Sequence, residues 1–253
     1  MAAMSSDFQG LRAVVTGAGS GIGLEVAQLL ASQGATVCGL DLNEGSFTGV
    51  GTYVSCDVSS EASVTAAAAE VATVFGGGLD ILINNAGIGA IGSVVEASPE
   101  DWEKVFSVNV FGTARVVRHL HPLLIKGTNP VIVNTCSVSA PVGLPKRAVY
   151  SASKGALESL TRAMAADFLD DNIRVNGVNP GTADTPWVQR LLAQTPDPAG
   201  ERARLEARQP IGRLVSAPEV AHAISYLAHP KSLSTTGTIL AVDGGMASLR
   251  VPR

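Results

Sequence analysis

Aromatic residues are scarce in this chain, 4% of 253 residues, although 46% of the residues are hydrophobic. The apolar content is therefore carried by aliphatic side chains, which suits buried parallel strands covered by helices. Cysteine is also sparse: Cys38, Cys56 and Cys136 are odd in number, far apart and each set in an apolar stretch. That excludes a disulfide framework and offers no metal-ligand spacing, so we read them as small buried hydrophobes. Positive charge is in short supply, with 18 Lys+Arg against 22 Asp+Glu and no basic run. A phosphate-backbone ligand needs the opposite balance, so nucleic acid is not an expected partner. No stretch approaches the roughly 18 apolar residues of a membrane span. Residues 1–12 lack the charged start and apolar run of a secretory leader. The expectation is a cytoplasmic protein with no membrane and no metal.

Glycine is abundant instead. Its 27 residues make about 11% of the chain, against a usual ~7%, and they follow no G-X-Y period. Short aliphatic runs alternate with longer Ala-rich patterns from end to end. The pattern predicts strands over 12–16, 35–40, 52–55, 79–84, 131–136, 173–178 and near 238–242, with helices over 21–33, 61–75, 99–124, 149–169 and 218–227. Strands separated by helices imply βαβ units and a parallel sheet. No composition break divides the chain, so 1–253 reads as one α/β domain, doubly wound. A polar, Pro-containing stretch over about 182–213 is a candidate lid.

The first strand runs into Thr16-Gly17-Ala18-Gly19-Ser20-Gly21-Ile22-Gly23 and on into a helix. Glycines at such a turn let a pyrophosphate approach the backbone, and the helix N-terminus offers it free N–H groups. Asp41 closes the second strand, where a carboxylate accepts hydrogen bonds from both ribose hydroxyls and repels a 2′-phosphate. Leu42 and Asn43 bring no cation to receive one, so NAD is expected rather than NADP. Asp57, after Cys56 and before Val58, reads equally as an adenine contact or as a helix cap. Asn84-Asn85-Ala86-Gly87 closes the fourth strand, where side-chain amides can lock neighbouring loops.

Tyr150 and Lys154 stand at i and i+4, on one helix face. A phenol is a poor base near neutral pH, and an ammonium beside it favours the phenolate. Ser137 falls just past the fifth strand, at the carboxyl edge of the sheet where open α/β folds hold ligands. Asn109 is a poor helix former inside a helical pattern, which indicates a bend or a polar task.

Together these residues resemble the short-chain dehydrogenase/reductase family over essentially the whole chain. The resemblance rests on Thr16-Gly17-x-x-x-Gly21-x-Gly23, Asp57, Asn84-Asn85-Ala86-Gly87, Asn109, Ser137, Tyr150-x-x-x-Lys154, Pro180-Gly181-Thr182 and Asp243-Gly244-Gly245. It implies a single Rossmann domain with a seven-stranded parallel sheet in the order 3-2-1-4-5-6-7 and helices on both faces. It implies Tyr150 as general acid/base, Ser137 as orienter of a carbonyl, Lys154 as ribose ligand and Asn109 as holder of a relay water. Cofactor contacts are then expected from Gly17, Ser20, Gly21, Ile22, Gly23, Asp41, Leu42, Cys56, Asp57, Val58, Asn85, Ala86, Gly87, Pro180, Gly181, Thr182 and Thr185, besides Tyr150 and Lys154. Members of the family are commonly homotetramers.

The stretch around Trp187 and Ala207-Arg208-Gln209-Pro210-Ile211-Gly212-Arg213, with Lys146-Arg147, is similar to cytosolic-type 3-hydroxybutyrate and keto-deoxy sugar-acid dehydrogenases. That likeness implies a small hydroxy acid or sugar acid as substrate. Its carboxylate would meet Arg147, Arg190 or Arg208, with Trp187 as a pocket wall. The alternative is an uncharged alcohol or ketone, or a 3-oxoacyl group on an acyl carrier. Two other classes fare worse. Ser151-x-x-Lys154 suggests acyl transfer, but no Ser-Asp-Asn or Lys-Thr-Gly follows it. A nucleotide sensor has no need of Ser137, Tyr150 and Lys154 together.

Overall fold

A computed structural model of the chain describes residues 6–250. The ends of the single-domain reading of 1–253, and residues 1–5 of the leader reading of 1–12, lie outside the described residues. Among the described residues nine strands form: β1 (Arg12–Thr16), β2 (Thr36–Asp41), β3 (Thr52–Ser55), β4 (Ile81–Asn84), β5 (Val131–Thr135), β6 (Arg174–Pro180), β7 (Ala183–Asp184), β8 (Val215–Ser216) and β9 (Ile239–Val242). Eight α-helices connect them: α1 (Gly21–Ser32), α2 (Glu61–Phe75), α3 (Pro99–Phe106), α4 (Thr113–Leu124), α5 (Ala148–Asp167), α6 (Pro186–Ala193), α7 (Pro198–Ala207) and α8 (Ala217–Ala228).

Seven strands make one parallel sheet in the order β3-β2-β1-β4-β5-β6-β9, the topology expected, with β9 as its seventh strand. Strands β4, β5 and β6 are buried at every position because helices cover both faces. One face packs Val64 and Val71 of α2, Leu120 of α4 and Met164 of α5 against Val14, Leu82 and Ile132. The opposite face packs Val26 and Leu30 of α1 and Ile224 of α8 against Ala13, Ile83 and Val133. The three cysteines are buried and free. Helix ends are set locally: Ser60 caps α2 by accepting from Ser63 N, and Ser216 forms a capping box with Glu219 at α8.

Two features depart from the simple pattern. The long helix expected over 99–124 is broken into α3, a π-helical turn at Ser107–Gly112, and α4. Asn109 lies fully buried inside that turn, and π-helical turns are frequent at functional sites. Strands β7 and β8 pair only with each other, in parallel, and close the base of the 182–213 stretch. Two-residue strands carry no readable period, so the sequence does not announce them.

Candidate active site

A cleft of about 450 Å³ opens along the carboxyl ends of the central strands. The β1–α1 turn forms one end. Gly17 has φ +68°, and a Cβ on Gly23 would lie 2.1 Å from the Gly17 carbonyl oxygen and 2.6 Å from Asn85 Nδ2. Only glycine fits where backbone crosses backbone this closely. Thr16 and Asn85 tie the turn to the β4 loop. Thr16 Oγ1 accepts the N–H groups of Asn85 and Ala86 at 3.0 Å each, and Asn85 Nδ2 donates to the Thr16 and Gly17 carbonyls at 3.2 and 3.3 Å. Asp41 Oδ2 accepts Gly19 N–H at 2.9 Å and Oδ1 accepts Leu42 N–H at 2.7 Å, aiming the carboxylate along the turn. Asp57 Oδ1 accepts from Ser59 N and Oγ while the residue lines the cleft; the cap of α2 is Ser60, so Asp57 is not the helix cap.

This end fits a dinucleotide. Ser20, the N-cap of α1, makes no side-chain capping bond, so the first N–H groups of α1 keep no side-chain partner. A Cβ on Gly21 would project toward Thr185 Cβ at 3.7 Å, into the space between turn and lid. Ile22, Leu42, Cys56, Val58, Gly87, Pro180, Gly181, Thr182 and Thr185 line the same cleft.

At the other end stand Ser137, Tyr150 and Lys154, all lining the cleft. Lys154 is 4% exposed; its Nζ donates to the Thr135 carbonyl at 2.7 Å and lies 5.9 Å from the Tyr150 ring centre. Ser137 Oγ accepts from Ser139 N at 3.1 Å and Ser139 Oγ at 3.0 Å. With its lone pairs engaged by Ser139, its own hydrogen is left to donate outward. Ser139 escaped the sequence reading; a second hydroxyl two residues on was its only signal.

Asn109 is tied to the β4 loop by its side chain. Its Oδ1 accepts Ile88 N–H at 2.8 Å, and its Nδ2 donates to the Ile88 carbonyl at 2.9 Å and to Ser153 Oγ at 3.0 Å. Both polar atoms of the side chain meet protein, so Asn109 clamps the β4 loop from behind. Ser153 passes the link on to the Tyr150 carbonyl at 2.8 Å.

The roof comes from the 182–213 stretch. Trp187 lies across Gly89, where a Cβ would come within 2.4 Å of the indole. Ile88, Leu144, Leu191 and Leu205 add apolar walls. Arg147 and Arg208 both face this space. Burial presses the Arg147 guanidinium below its ordinary value, Tyr150 pulls the other way, and Arg208 adds to the depression. Arg147 Nη1 donates to the Ala90 carbonyl at 3.1 Å. Among the described residues neither arginine is in an ion pair. Arg190, the third arginine expected at a carboxylate, is exposed and outside the cleft lining. Two residues after buried Val188, it points about 200° round α6 from the packed face. At the base of the lid Gln209, 1% exposed, donates from Nε2 to the Thr182 carbonyl at 3.3 Å and the Arg213 carbonyl at 2.7 Å. Among the described residues no group of three or more His, Cys, Asp or Glu could hold a metal ion, and His119 and His121 meet Glu61 and Asp171 instead.

An open parallel sheet with a bare glycine turn and a Tyr–Lys pair at its carboxyl edge defines a dinucleotide-dependent α/β enzyme. Residues 17–247 match the family model described as enoyl-(acyl carrier protein) reductase, and the chain belongs to the short-chain dehydrogenase/reductase family. It is an oxidoreductase of that family, whose members use NAD or NADP. The chain is 39% identical to cis-4-hydroxycyclohexanecarboxylate dehydrogenase of Sinomonas cyclohexanicum, over 97% of this chain and all of that protein. It is 36% identical to 2-(S)-hydroxypropyl-CoM dehydrogenase 3 of Xanthobacter autotrophicus, over 97% of this chain and all of that one. Ligand-free aldohexose dehydrogenase of Thermoplasma acidophilum superposes with a TM-score of 0.90 at 30% identity, covering 98% of this chain and 100% of that structure.

Proposed function

We propose that the chain interconverts a secondary alcohol and a ketone with NAD, and that its substrate is a small hydroxy acid or sugar acid. The observation that carries the reading is one cleft lined by the glycine turn and Asp41 at one end and by Ser137, Tyr150, Lys154, Arg147 and Arg208 at the other. Asp41 receives the ribose hydroxyls, and its neighbour Leu42, exposed and apolar, offers no counter-charge to a 2′-phosphate. When bound, the nicotinamide supplies the hydride acceptor or donor. The Ser137 hydroxyl donates to the substrate oxygen and fixes its position. The Tyr150 phenol moves the proton at that same oxygen, taking it from the alcohol or giving it to the ketone. The Lys154 ammonium, 5.9 Å from the phenol ring centre, binds the ribose. Arg147 and Arg208 hold the carboxylate, a pairing that guanidinium forks suit. The hydroxy-carboxylate in the name of the 39% identical relative agrees with this choice.

An uncharged alcohol or ketone is the second reading, favoured by the apolar walls Ile88, Leu144, Leu191 and Leu205. Steady-state absorbance at 340 nm separates the two. Turnover of hydroxy acids over their neutral analogues supports the first, and preference for the analogues supports the second. Assembly as a cytoplasmic homotetramer belongs to the same proposal and is read by light scattering and cell fractionation.

A further inference from the structure

The loop that presents Ser137 is held from behind by side chains to which none of the roles above is assigned. Asn179, on β6 and 6% exposed, accepts the Ser137 N–H through Oδ1 at 3.0 Å. Its Nδ2 donates to Glu158 Oε1 at 2.6 Å. The two ends of the amide are not interchangeable: a backbone N–H only donates, so the oxygen must face Ser137 and the NH2 must face the carboxylate. Glu158 sits on α5 four residues beyond Lys154 and eight beyond Tyr150, close to the same helix face. Its other oxygen meets Arg162 Nη2 at 3.2 Å, and its side chain is 13% exposed. One chain of bonds thus runs from the helix bearing the phenol and the ammonium, through β6, to the backbone of the residue bearing the hydroxyl.

We propose that Asn179 and Glu158 are positioning residues that hold the Ser137 hydroxyl in register with Tyr150 by tying the Ser137 backbone to α5. This rests on the reading of Ser137 as the group that holds the substrate oxygen. The chain is specific about residue type. An aspartate at 179 would set carboxylate against carboxylate, and only a shared proton would rejoin them. Swapping the pair, with Asp at 179 and Gln at 158, restores one acceptor for Ser137 N–H and one donor between the two side chains. The charged or titratable groups around Glu158 are Arg162 and Lys154 on α5 and Cys136 beside Ser137. Burial pushes the Cys136 thiol up to about 11, so it stays neutral throughout the assay range.

The test compares wild type, Asn179→Asp and the double variant Asn179→Asp/Glu158→Gln. Two readouts are taken: kcat and KM for NAD across pH, and hydrogen exchange of the Ser137 amide without cofactor. In Asn179→Asp, kcat falls about tenfold or more near pH 8 while KM for NAD stays within about twofold. Its kcat relative to wild type recovers below about pH 6, where one proton bridges the two carboxyls. Ser137 exchange quickens by about tenfold or more. The double variant returns both readouts to wild type at every pH. Should Asn179→Asp lose its thermal transition, Asn179→Ala takes its place with the same fall in kcat and the same faster exchange. Unchanged kcat in a folded 179 variant, or a folded double variant as slow as the single, overturns the proposal whatever the exchange does. If wild type turns over no substrate, the functional reading fails by itself, and exchange decides the network: an unchanged Ser137 amide in Asn179→Asp overturns it.

Discussion

At the end of the cleft beside β1 and β2, backbone meets backbone; at the end roofed by α6 and α7, side chains do the holding. Gly23 lies under Gly17 and against Asn85 so closely that a single methyl collides with both. The roof has a small core of its own, Val188, Leu192 and Leu214 with Leu205, and α7 buries no residue. Its attachments are local: the β7–β8 pair, Gln209 across both ends, and Arg202 donating to Asp184 at 2.7 Å. The contrast teaches that the glycine turn is fixed by backbone contacts to the sheet, whereas the roof is a segment held by side chains.

The largest effect comes from breaking the rigid end. Gly23→Ala should lose NADH binding, followed by cofactor fluorescence, and lower stability in thermal denaturation by about 1–3 kcal/mol. Its counterpart in the lid is Gly212, with φ +72° and open space around a Cβ. Gly212→Ala should cost only the backbone strain, about 1 kcal/mol, with cofactor binding intact. Equal losses in the two variants would erase the contrast. Tyr150→Phe comes next, with kcat down by about 10²–10⁴ and cofactor affinity kept, by stopped-flow absorbance.

At the lid end the effects shrink and become substrate-specific. Arg208→Ala should raise KM for an acid about 10–100-fold and leave a neutral analogue unaffected, while Arg190→Ala changes neither. Gln209→Ala removes two hydrogen bonds at the lid base. Substrate KM should rise by about tenfold or less in the same assay, with NADH affinity unmoved. The smallest effect lies at the foot of the lid, where Arg213 and Ser216 hold the Glu219 carboxyl down from 4.5 to about 2. A folded value below the ordinary one means this contribution is full above about 4.5 and fades as pH falls toward 2. The difference in melting temperature between wild type and Glu219→Gln should therefore be present near neutrality and vanish on acidification.

The rigid end was also the legible one. Aliphatic runs and glycine spacing announce the sheet, the turn and Asp41, because close backbone approach admits few residue types. A misplaced helix former at Asn109 announced a bend or a polar task, though neither the π-helical turn nor what its side chain holds. Arg190 was assigned by resemblance alone, and the phase of α6 turns it outward. The Asn179–Glu158 and Gln209–Thr182 pairs had no sequence signal. Each joins residues 21 and 27 positions apart, respectively, through side-chain amides, and neither periodicity nor composition registers such a pairing.

The most direct test follows absorbance at 340 nm with wild type and Tyr150→Phe, offering NAD or NADP with a panel of small hydroxy acids, sugar acids and their neutral analogues. The account predicts reduction of NAD by a hydroxy acid or sugar acid, much weaker activity with NADP, and loss of turnover in Tyr150→Phe. Preference for NADP, or full turnover in Tyr150→Phe, would contradict it.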